Sequence, residues 1–405
     1  MASIVHSVGR EPQGTFAQAE LRVGGRELLQ VLEKAWNRLC REAGAEPFLS
    51  PEWIGCYLRA FEPASEVIVI AVLAGERMLA VLPLTRKRIW YRGIPLIELK
   101  GAANAHSVWF DILRAPGSEG ERAVCLIWEC LRNLPGWHVL EFPYVPEQGA
   151  ARQLVRQAAE EQFRTLIDAC AECPVMHLQA GAEGELDPWG TTSTRFRHEL
   201  QRNERRLAEE LRGQPKLLCS RRPEAHVLQR FYDLEAAGWK GRAGTAIQSS
   251  ADTRRYYRDL VQLAQENGHL RVHHLDLDGR MLAGCIGLRV GDSYYGLKMA
   301  YDESLRAYSP GQLILRGVIE DCAQGAVARI VLGGKLDAYK KKWTSHTEPL
   351  VTALAYRSAL RSRVAYVSRS RLFPALRGLL ERAQSFRARV FASLAKSMKP
   401  KERMS

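Results

Sequence analysis

The 405-residue sequence predicts an α/β (α+β) protein of two tandem domains, each with a mixed sheet flanked by helices, followed by basic C-terminal helices. Three observations lead to this prediction. The chain is too long for one typical hydrophobic core, helical and strand-like hydrophobic patterns alternate along it, and one short phrase occurs twice. We therefore expect domains at 21–180 and 189–357 and a basic tail at 358–405.

The repeated phrase reads Gly-Glu-Arg-Met-Leu-Ala at 75–80 and Gly-Arg-Met-Leu-Ala at 279–283. Both copies lie where a turn joins two predicted strands, within the order helix, helix, strand, strand. A match this short arises by chance in many sequences, but the shared context favours two similar domains over one large domain.

Composition is that of an ordinary globular protein, with 46% hydrophobic and 25% charged residues. No apolar run approaches the roughly 20 residues of a membrane span, and residues 1–18 lack a signal-peptide pattern. Nine cysteines without framework spacing indicate reduced thiols in a cytoplasm. Cys170 and Cys173 form an isolated C-x-x-C pair, and we expect no metal site.

The net charge of +13 is concentrated in the tail. Residues 357–405 contain ten Arg and three Lys against two Glu, which gives 13 − 2 = +11 and leaves about +2 for the rest. A uniformly basic, nucleic-acid-binding body would not have this distribution.

In the first half, residues 1–20 read as an irregular leader, and helices are expected at 27–43 and from Ser50 to Phe61. Ser50 suits the N-cap, and the following proline suits the first helical turn. Further strands are expected at 67–73, 78–84, 96–100, 108–113, 138–142 and 175–178, and further helices at 122–134 and 148–162.

In the second half, a hairpin is expected from 269–277 and 280–290, because an Asp-Gly turn joins the two patterns. The remaining predictions are helices at 194–211, 223–238 and 253–267 and a closing strand at 348–357.

The stretch 293–342 contains the most informative pattern. An aromatic strand at 293–299 precedes a polar loop ending in R-x-x-S-P-G, and then come a helix at 312–324, a buried strand at 329–332 and a basic segment.

The end of that loop suits the start of a helix. Ser309 can cap it, Pro310 fits its first turn, and Gly311 removes a Cβ where a ligand would approach the backbone. Free N–H groups at such a helix start bind anions, phosphates above all. The alternative is a well-capped core helix with no ligand.

This order of strand, R-x-x-S-P-G, helix, strand and Tyr-Lys segment resembles the acyl-CoA-binding core of the GCN5-related N-acetyltransferase superfamily. It is most similar to the double-domain branch, which contains cellulose- and capsule-associated acetyltransferases and Fem-type peptidoglycan aminoacyltransferases. The phrase at 48–53 is similar to the opening of many members, and the resemblance extends to about residue 357. It implies two acyl-CoA N-acyltransferase-like domains, of which the first is degenerate.

The resemblance also implies that Arg306, Ser309, Pro310 and Gly311 bind the CoA pyrophosphate, although Ser309 stands where the superfamily usually has glycine. Amide transfer then needs a positioned amine, a proton acceptor, oxyanion hydrogen bonds and an acid for the departing thiolate.

Three residues directly after the second strand are candidates for that chemistry. The resemblance implies that Tyr339 protonates the thiolate and that Lys340 contacts a phosphate or the oxyanion. Asp337 is either a base or a cap for the following turn.

A second set of candidates comes from Glu235, Trp239 and Lys240, whose E-x-x-G-W-K pattern resembles an element on the family's acceptor side. Glu235 is then the proton acceptor, and the alternative is a surface carboxylate. Tyr294 and Tyr295 point to opposite faces of their strand, and we assign Tyr295 to the substrate.

A third, weaker set lies in the first half. Asn104, His106 and Asp111 occupy a Gly/Ala-rich loop that can reach a groove between the domains.

The leading functional prediction is an acyl-CoA-dependent N-acyltransferase acting on an amino group of a sugar, amino acid or envelope-polysaccharide precursor in a bacterial cytoplasm. The polysaccharide connection is implied by the resemblance alone. One alternative is a Fem-type transferase using aminoacyl-tRNA, held by the arginine-rich helix 194–211. Another is a non-enzymatic scaffold at a polysaccharide synthase.

The tail, 358–405, has apolar residues spaced by three and four with arginines between them. We expect basic amphipathic helices that contact anionic lipid at the inner face of the membrane. The alternatives are packing on the body of the protein and, more weakly, binding of nucleic acid.

Overall fold

The structure, a computed structural model, describes residues 4–7, 19–181, 186–190 and 192–372. The strands are β1 (Ile4–Ser7), β2 (Ala19–Gly24), β3 (Glu66–Ala74), β4 (Arg77–Tyr91), β5 (Ile94–Gly101), β6 (Leu113–Arg114), β7 (Val139–Pro146), β8 (Arg164–His177), β9 (Gln179–Ala180), β10 (Leu186–Asp187), β11 (Lys216–Ser220), β12 (Leu270–Leu277), β13 (Arg280–Val290), β14 (Ser293–Tyr301), β15 (Arg329–Val331) and β16 (Thr347–Tyr356). The α-helices are α1 (Leu28–Val31), α2 (Glu33–Glu42), α3 (Pro51–Phe61), α4 (Gly117–Asn133), α5 (Ala150–Glu160), α6 (Thr194–Leu211), α7 (Ala225–Ala237), α8 (Trp239–Arg242), α9 (Ala251–Glu266), α10 (Pro310–Gln324) and α11 (Leu360–Val367).

One mixed sheet of 14 strands runs through the protein, with helices packed against it. Its order is β1-β2-β3-β4-β5-β7-β16-β8-β15-β14-β13-β12-β11, with β6 beside β4, while β9 and β10 form a separate ribbon. The predicted mixed α/β class is confirmed. Within the described ranges, no helix is both long and apolar enough to cross a bilayer.

The two halves of the sheet repeat one pattern. In each, an antiparallel run ends in a strand that pairs in parallel over three residues with the next: β5 with β7, and β14 with β15. In the hairpins β3-β4 and β12-β13, the register shifts in the middle of the repeated Met-Leu-Ala phrase, at Leu79 and at Leu282. The repeated phrase therefore marks equivalent positions in two similar units.

The halves also exchange strands. β16, near the end of the chain, lies between β7 and β8 of the first half, and the end of β8 pairs with β15 of the second half. The limits 21–180 and 189–357 stay predictions, and the sheet is continuous across them. β16 of the second half thus pairs within the sheet of the first half, and β8 of the first half extends the sheet of the second.

Several local predictions are confirmed. α3 begins after Ser50, whose Oγ accepts a hydrogen bond from the Trp53 amide at 3.2 Å, and α6 has the predicted limits. The predicted strand 108–113 is wrong, since only Leu113–Arg114 at its end is a strand. The reason is Asp111, whose carboxylate accepts hydrogen bonds from the amides that begin α5 and so holds this segment away from the sheet.

Three strands were missed or shortened. The leader was expected to extend to residue 20 and no strand was predicted after it, but Ala19–Gly24 forms β2, with Leu21 buried against β3. β11 is an edge strand with mostly exposed side chains, and its apolar residues Leu217, Leu218 and Cys219 are consecutive, so it lacks the alternation typical of a half-buried strand. β8 is 14 residues long, and only its last part is uniformly buried.

The interface between the halves is apolar and aromatic. α3 packs against α9, with Trp53 and Tyr256 meeting edge to face at 6.3 Å between ring centroids. Tyr295 in β14 packs on Phe48 at 5.0 Å. One core therefore spans both halves, which fixes the position of the cleft described next.

Candidate active site

The candidate active site lies where β14 and β15 separate. The two strands pair only from Ser293–Tyr295 to Arg329–Val331, and beyond this a cavity of about 450 Å³ opens between them. Its lining includes six residues predicted from the sequence, namely Glu235, Trp239, Lys240, Asp337, Tyr339 and Lys340. The structure thus brings both predicted catalytic sets into one cavity.

A larger and more open groove of about 830 Å³ lies between α7 and α9. Its lining includes the four arginines Arg222, Arg254, Arg255 and Arg258, but none of the predicted catalytic residues. It has no separating strand pair, so the smaller cavity is the candidate site.

The Tyr339–Lys340 segment is held by the start of α10. The Gln312 side chain donates to the Tyr339 carbonyl at 3.1 Å and accepts from Trp343 Nε1 at 2.6 Å. Asp337 Oδ1 accepts from the Lys340 amide at 3.2 Å, which is the capping geometry considered as its alternative role. The segment is therefore fixed against the cavity wall.

Lys340 is buried and serves the turn after β15. Its ammonium donates to the carbonyls of Gly333 at 2.7 Å and Lys335 at 3.1 Å. Burial lowers the pKa of Lys340, and the nearby Asp337 charge opposes that effect. With two carbonyls as partners, this ammonium stabilises the Gly-Gly turn rather than standing free for a phosphate.

Tyr339 lines the cavity with a neutral phenol. Burial, and secondly the charge of Asp337, raises the pKa of Tyr339 well above its ordinary value. The phenol therefore keeps its proton at neutral pH, and the same shift makes it a weaker acid than an exposed tyrosine.

Glu235 is not the exposed carboxylate considered as an alternative, because it is only 2% exposed. Its Oε1 lies 3.2 Å from Lys240 Nζ and 3.6 Å from Lys298 Nζ, and its Oε2 accepts from the Ile247 amide at 2.8 Å. Lys240 also donates to the Met299 carbonyl at 2.7 Å. Both carboxylate oxygens are thus occupied, and the group ties α7 and α8 to β14.

The substrate assignment of Tyr295 is wrong. Tyr294 lines the cavity, with its hydroxyl 3.6 Å from Cys285 Sγ, while Tyr295 faces the opposite side of the sheet against Phe48 and Trp109. Tyr294 and Tyr295 point to opposite faces of β14, as predicted, but the sequence does not show which of the two faces borders the cavity.

Sequence reasoning also missed Lys298 and Gly296, which line the cavity. The register of β13 and β14 shifts at Leu297. This shift changes which side chains of β14 share a face, and no residue pattern marks it.

The predicted donor motif lies at the start of α10 and does not line the cavity, although Leu315 and Val318 of the same helix do. Pro310 is at the first helical position as predicted. Ser309 does not cap the helix with its side chain: its φ is 55°, and its Oγ instead accepts from Asn203 Nδ2 at 3.3 Å. A φ of this sign suits the glycine that the superfamily usually has here.

The other two residues of the donor motif differ in exposure. Arg306 is exposed. Gly311 is buried, and a β-carbon there would lie 3.1 Å from the Tyr301 ring. Gly311 thus accommodates a side chain of the protein itself.

Helix α6 covers this motif. Besides the contact from Asn203, Glu210 accepts a hydrogen bond from the Tyr308 hydroxyl at 2.8 Å, and the Arg206 guanidinium lies 5.4 Å from the centre of the Tyr308 ring. One arginine of α6, Arg206, therefore lies next to the segment predicted to hold the donor.

Of the three loop residues in the first half, His106 reaches the second half. Its ring stacks on Phe61 at 5.4 Å, and its Nδ1 is 3.4 Å from the Tyr257 hydroxyl. Burial, and secondly the charge of Lys298, lowers the pKa of His106 to about 4. The Asp111 carboxylate instead accepts hydrogen bonds from the backbone amides at the start of α5. The side chain of Asn104 binds within its own loop.

Among the residues that the structure describes, two clusters of possible metal ligands lie outside the cavity: His177 with His346 and Glu348, and Cys219 with His273 and Asp321. Each borders an arginine. Arg329 binds Glu348 through two hydrogen bonds of 2.9 Å. The pKa of Asp321 is lowered mainly by its hydrogen bond to His273 and further by the nearby charge of Arg271. A cation at either cluster would meet that positive charge. The expectation of no metal site stays a prediction.

The sequence profile of the acetyltransferase (GNAT) domain family matches residues 194–341. No curated protein sequence matches the chain closely enough to count as a relative.

Solved structures with a similar fold share little sequence with this chain. FemX has a TM-score of 0.56 at 11% identity, covering 83% of this chain and 97% of FemX. The C-terminal domain of a putative lysylphosphatidylglycerol synthetase from Agrobacterium fabrum has a TM-score of 0.49 at 11% identity (84% and 97% covered). A tandem GNAT protein of the clavulanic acid pathway has 0.43 at 13% (84% and 98% covered). At these identities the likeness concerns the fold alone, and of the three only FemX supports an argument.

Proposed function

We propose that this protein is an acyl-CoA-dependent N-acyltransferase. The match of residues 194–341 to the acetyltransferase (GNAT) domain profile and the two-unit fold support this proposal. The observation that carries the proposal is the separation of β14 from β15 after three paired residues, with the cavity that follows it. Beyond the paired region, backbone groups of β14 are available to an extended ligand.

In the proposed reaction, a neutral amine attacks the thioester carbonyl, and the tetrahedral intermediate collapses to an amide and a CoA thiolate. The amine loses one proton, and the thiolate gains one. Tyr339, whose phenol stays protonated at neutral pH, supplies the proton to the sulfur.

The proton acceptor is better assigned to Asp337 than to Glu235. Both line the cavity, but the oxygens of Glu235 are occupied by Lys240, Lys298 and the Ile247 amide. Asp337 is exposed, and the hydrogen bond from the Lys340 amide engages only its Oδ1. Glu235 and Lys240 then position the wall on which the acceptor lies.

The pyrophosphate of the donor is proposed to bind at the start of α10, beside Arg306 and the backbone of 309–311. Acyl-CoA is a cytoplasmic metabolite, so we propose a cytoplasmic reaction. We propose that the acceptor is an amino sugar, an amino acid or an envelope-polysaccharide precursor. This choice of acceptor rests on the family resemblance and not on the geometry of the cavity.

One observation favours a second candidate donor, aminoacyl-tRNA. The exposed Arg206 of α6 lies next to the proposed donor segment, and Arg202 and Arg205 are exposed on the same helix, where a nucleic acid backbone would need positive charge. Under this reading Arg202, Arg205 and Arg206 contact phosphates, and the aminoacyl end enters the same cavity.

Calorimetric titration of the purified protein with acetyl-CoA and with longer acyl-CoAs tests the proposal. We expect saturable binding, weakened about tenfold or more by Arg306→Ala, which removes a charged contact. Gly311→Val should weaken binding as well, because its side chain displaces Tyr301. If no acyl-CoA binds while aminoacyl-tRNA does, the second candidate replaces the first, and if neither binds, the scaffold alternative gains support.

Turnover tests the catalytic assignment. Tyr339→Phe should lower kcat far more than it raises KM, because the phenol acts in the transition state rather than in binding. Asp337→Asn should do the same, while equal effects on kcat and KM in both variants would contradict the assigned roles.

A further inference from the structure

Helix α11 has one buried face and, opposite to it, an exposed apolar face. The inner face places Ser362 and Ala365 against the protein, where they are 0% and 1% exposed. The outer face carries Leu360, Val364 and Val367, which are 75%, 47% and 40% exposed. Spacings of four and three residues put these three side chains in one stripe.

Two arginines hold this helix in place, so its outer face has a fixed direction. Before α11, the Arg357 guanidinium donates to the carbonyls of Arg132 and Leu134 at 2.7 and 2.5 Å. After it, Arg369 binds Asp168 at 3.1 Å and Glu141 at 3.2 Å. Rotation of the helix to bury the stripe would break both attachments.

The surroundings of the stripe are positively charged. Residues 357–372 contain five arginines and no Asp or Glu. Arg357 and Arg369 are used inward, while Arg361, Arg363 and Arg371 are exposed. The result is an apolar strip bordered by guanidinium groups, the pattern of a helix that lies in a membrane interface.

We propose that the outer face of α11 docks onto an anionic phospholipid surface, with the three apolar side chains among the acyl chains and the exposed arginines at the headgroups. This inference is independent of the proposed reaction. The proposed membrane contact is the fixed outer face of α11, and it does not depend on residues 373–405.

The positive charge around the stripe favours an anionic bilayer over two other partners, a second copy of the chain and residues 373–405. A second copy packed through the same face would set the arginines of one copy against those of the other. Residues 373–405 carry eight Lys and Arg against two Glu, or 8 − 2 = +6, so they too would be repelled. An anionic bilayer satisfies the apolar stripe and the arginines together.

Sedimentation with sucrose-loaded vesicles tests the proposal. Full-length protein is mixed with phosphatidylcholine vesicles containing about one third phosphatidylglycerol, and with vesicles of phosphatidylcholine alone. We expect binding to the anionic vesicles that weakens with salt. The triple variant Leu360→Ser/Val364→Ser/Val367→Ser should partition about tenfold less. The matched control is Val31→Ser in α1, because Val31 is also apolar and 67% exposed, and it should bind as the wild type does.

Four results would overturn the proposal: no vesicle binding by the wild type, equal binding to neutral vesicles, unchanged binding by the triple variant, or complete loss of binding when the chain ends at residue 372. The last result would place the contact in 373–405. Light scattering adds a fifth, since a wild-type dimer that the triple variant dissociates would identify a second copy as the occupant.

Discussion

The carbonyl oxygen of Gly296 in β14 lies so close to Gly333 that a β-carbon on Gly333 would be 2.7 Å from it. Gly333 also has a φ of +64°, in the left-handed region where other residues are strained. Two independent requirements thus select glycine where the strands separate, and they set the width of the entrance to the cavity.

We therefore expect Gly333→Ala to lower the free energy of unfolding by about 2–4 kcal/mol, from backbone strain plus a clash with an immobile carbonyl. The matched control is Gly334→Ala. Its φ is +61°, but its β-carbon would meet the Lys340 ammonium at 3.3 Å, a contact that a shift of a few tenths of an ångström would relieve. That variant should lose only about 1–2 kcal/mol, the strain alone. Chemical denaturation measures the free energy of unfolding of both variants. Equal losses of stability would show that the close contact with the Gly296 carbonyl does not contribute.

Glu235 gives the second prediction. Removing its charge leaves the ammonium groups of Lys240 and Lys298 buried without a counter-ion, so Glu235→Gln should destabilise the protein by about 3–5 kcal/mol. The double variant Glu235→Gln/Lys298→Met removes one of those charges and should recover part of the loss. Thermal and urea unfolding measure both. A Glu235→Gln protein of wild-type stability with reduced kcat would instead identify Glu235 as the proton acceptor.

Much of the second half could be predicted because its signals are local. α6, the hairpin β12-β13 and the order from β14 to β15 depend on capping, periodicity and turn residues, which lie close together in the sequence. The cavity itself could be inferred only through the family resemblance, because no pattern shows that Glu235 and Tyr339, far apart in the chain, line one space.

The errors have non-local causes. Tyr295 was assigned to the wrong face because that choice depends on Phe48 and Trp109 of the other half. The side chain of Ser309 was expected to cap α10, but Asn203 of α6 binds it instead. In each case a partner distant in sequence decides the outcome.

His106 gives a prediction about pH. Its folded-state pKa of about 4 lies below the ordinary value of about 6.5. A depressed histidine pKa means that its stabilising contribution is complete above about pH 6.5 and is lost as the pH falls towards 4. Allowing for partial exposure of the ring, we expect a loss of about 1–3 kcal/mol over this window.

The variant His106→Phe keeps a ring on Phe61 but cannot titrate, so its unfolding free energy should fall less between pH 6.5 and 4 than that of the wild type. Parallel curves for the wild type and His106→Phe would show that His106 titrates as it does in the unfolded chain.

The exchanged strands give the last prediction. A fragment of residues 189–357 lacks β8, which pairs with both β15 and β16. β15 is then unpaired on one side, next to the cavity, and β16 loses both of its neighbours, since β7 is missing too. Unpaired strand edges cost backbone hydrogen bonds and promote aggregation. We therefore expect this fragment to be insoluble or largely unfolded, although it contains the whole segment that matches the GNAT profile. The fragment 164–357 restores β8 and should recover more β structure by circular dichroism and more acyl-CoA binding. If 189–357 folded cooperatively and bound acyl-CoA as tightly as the full chain, the shared strands would be dispensable to the second unit.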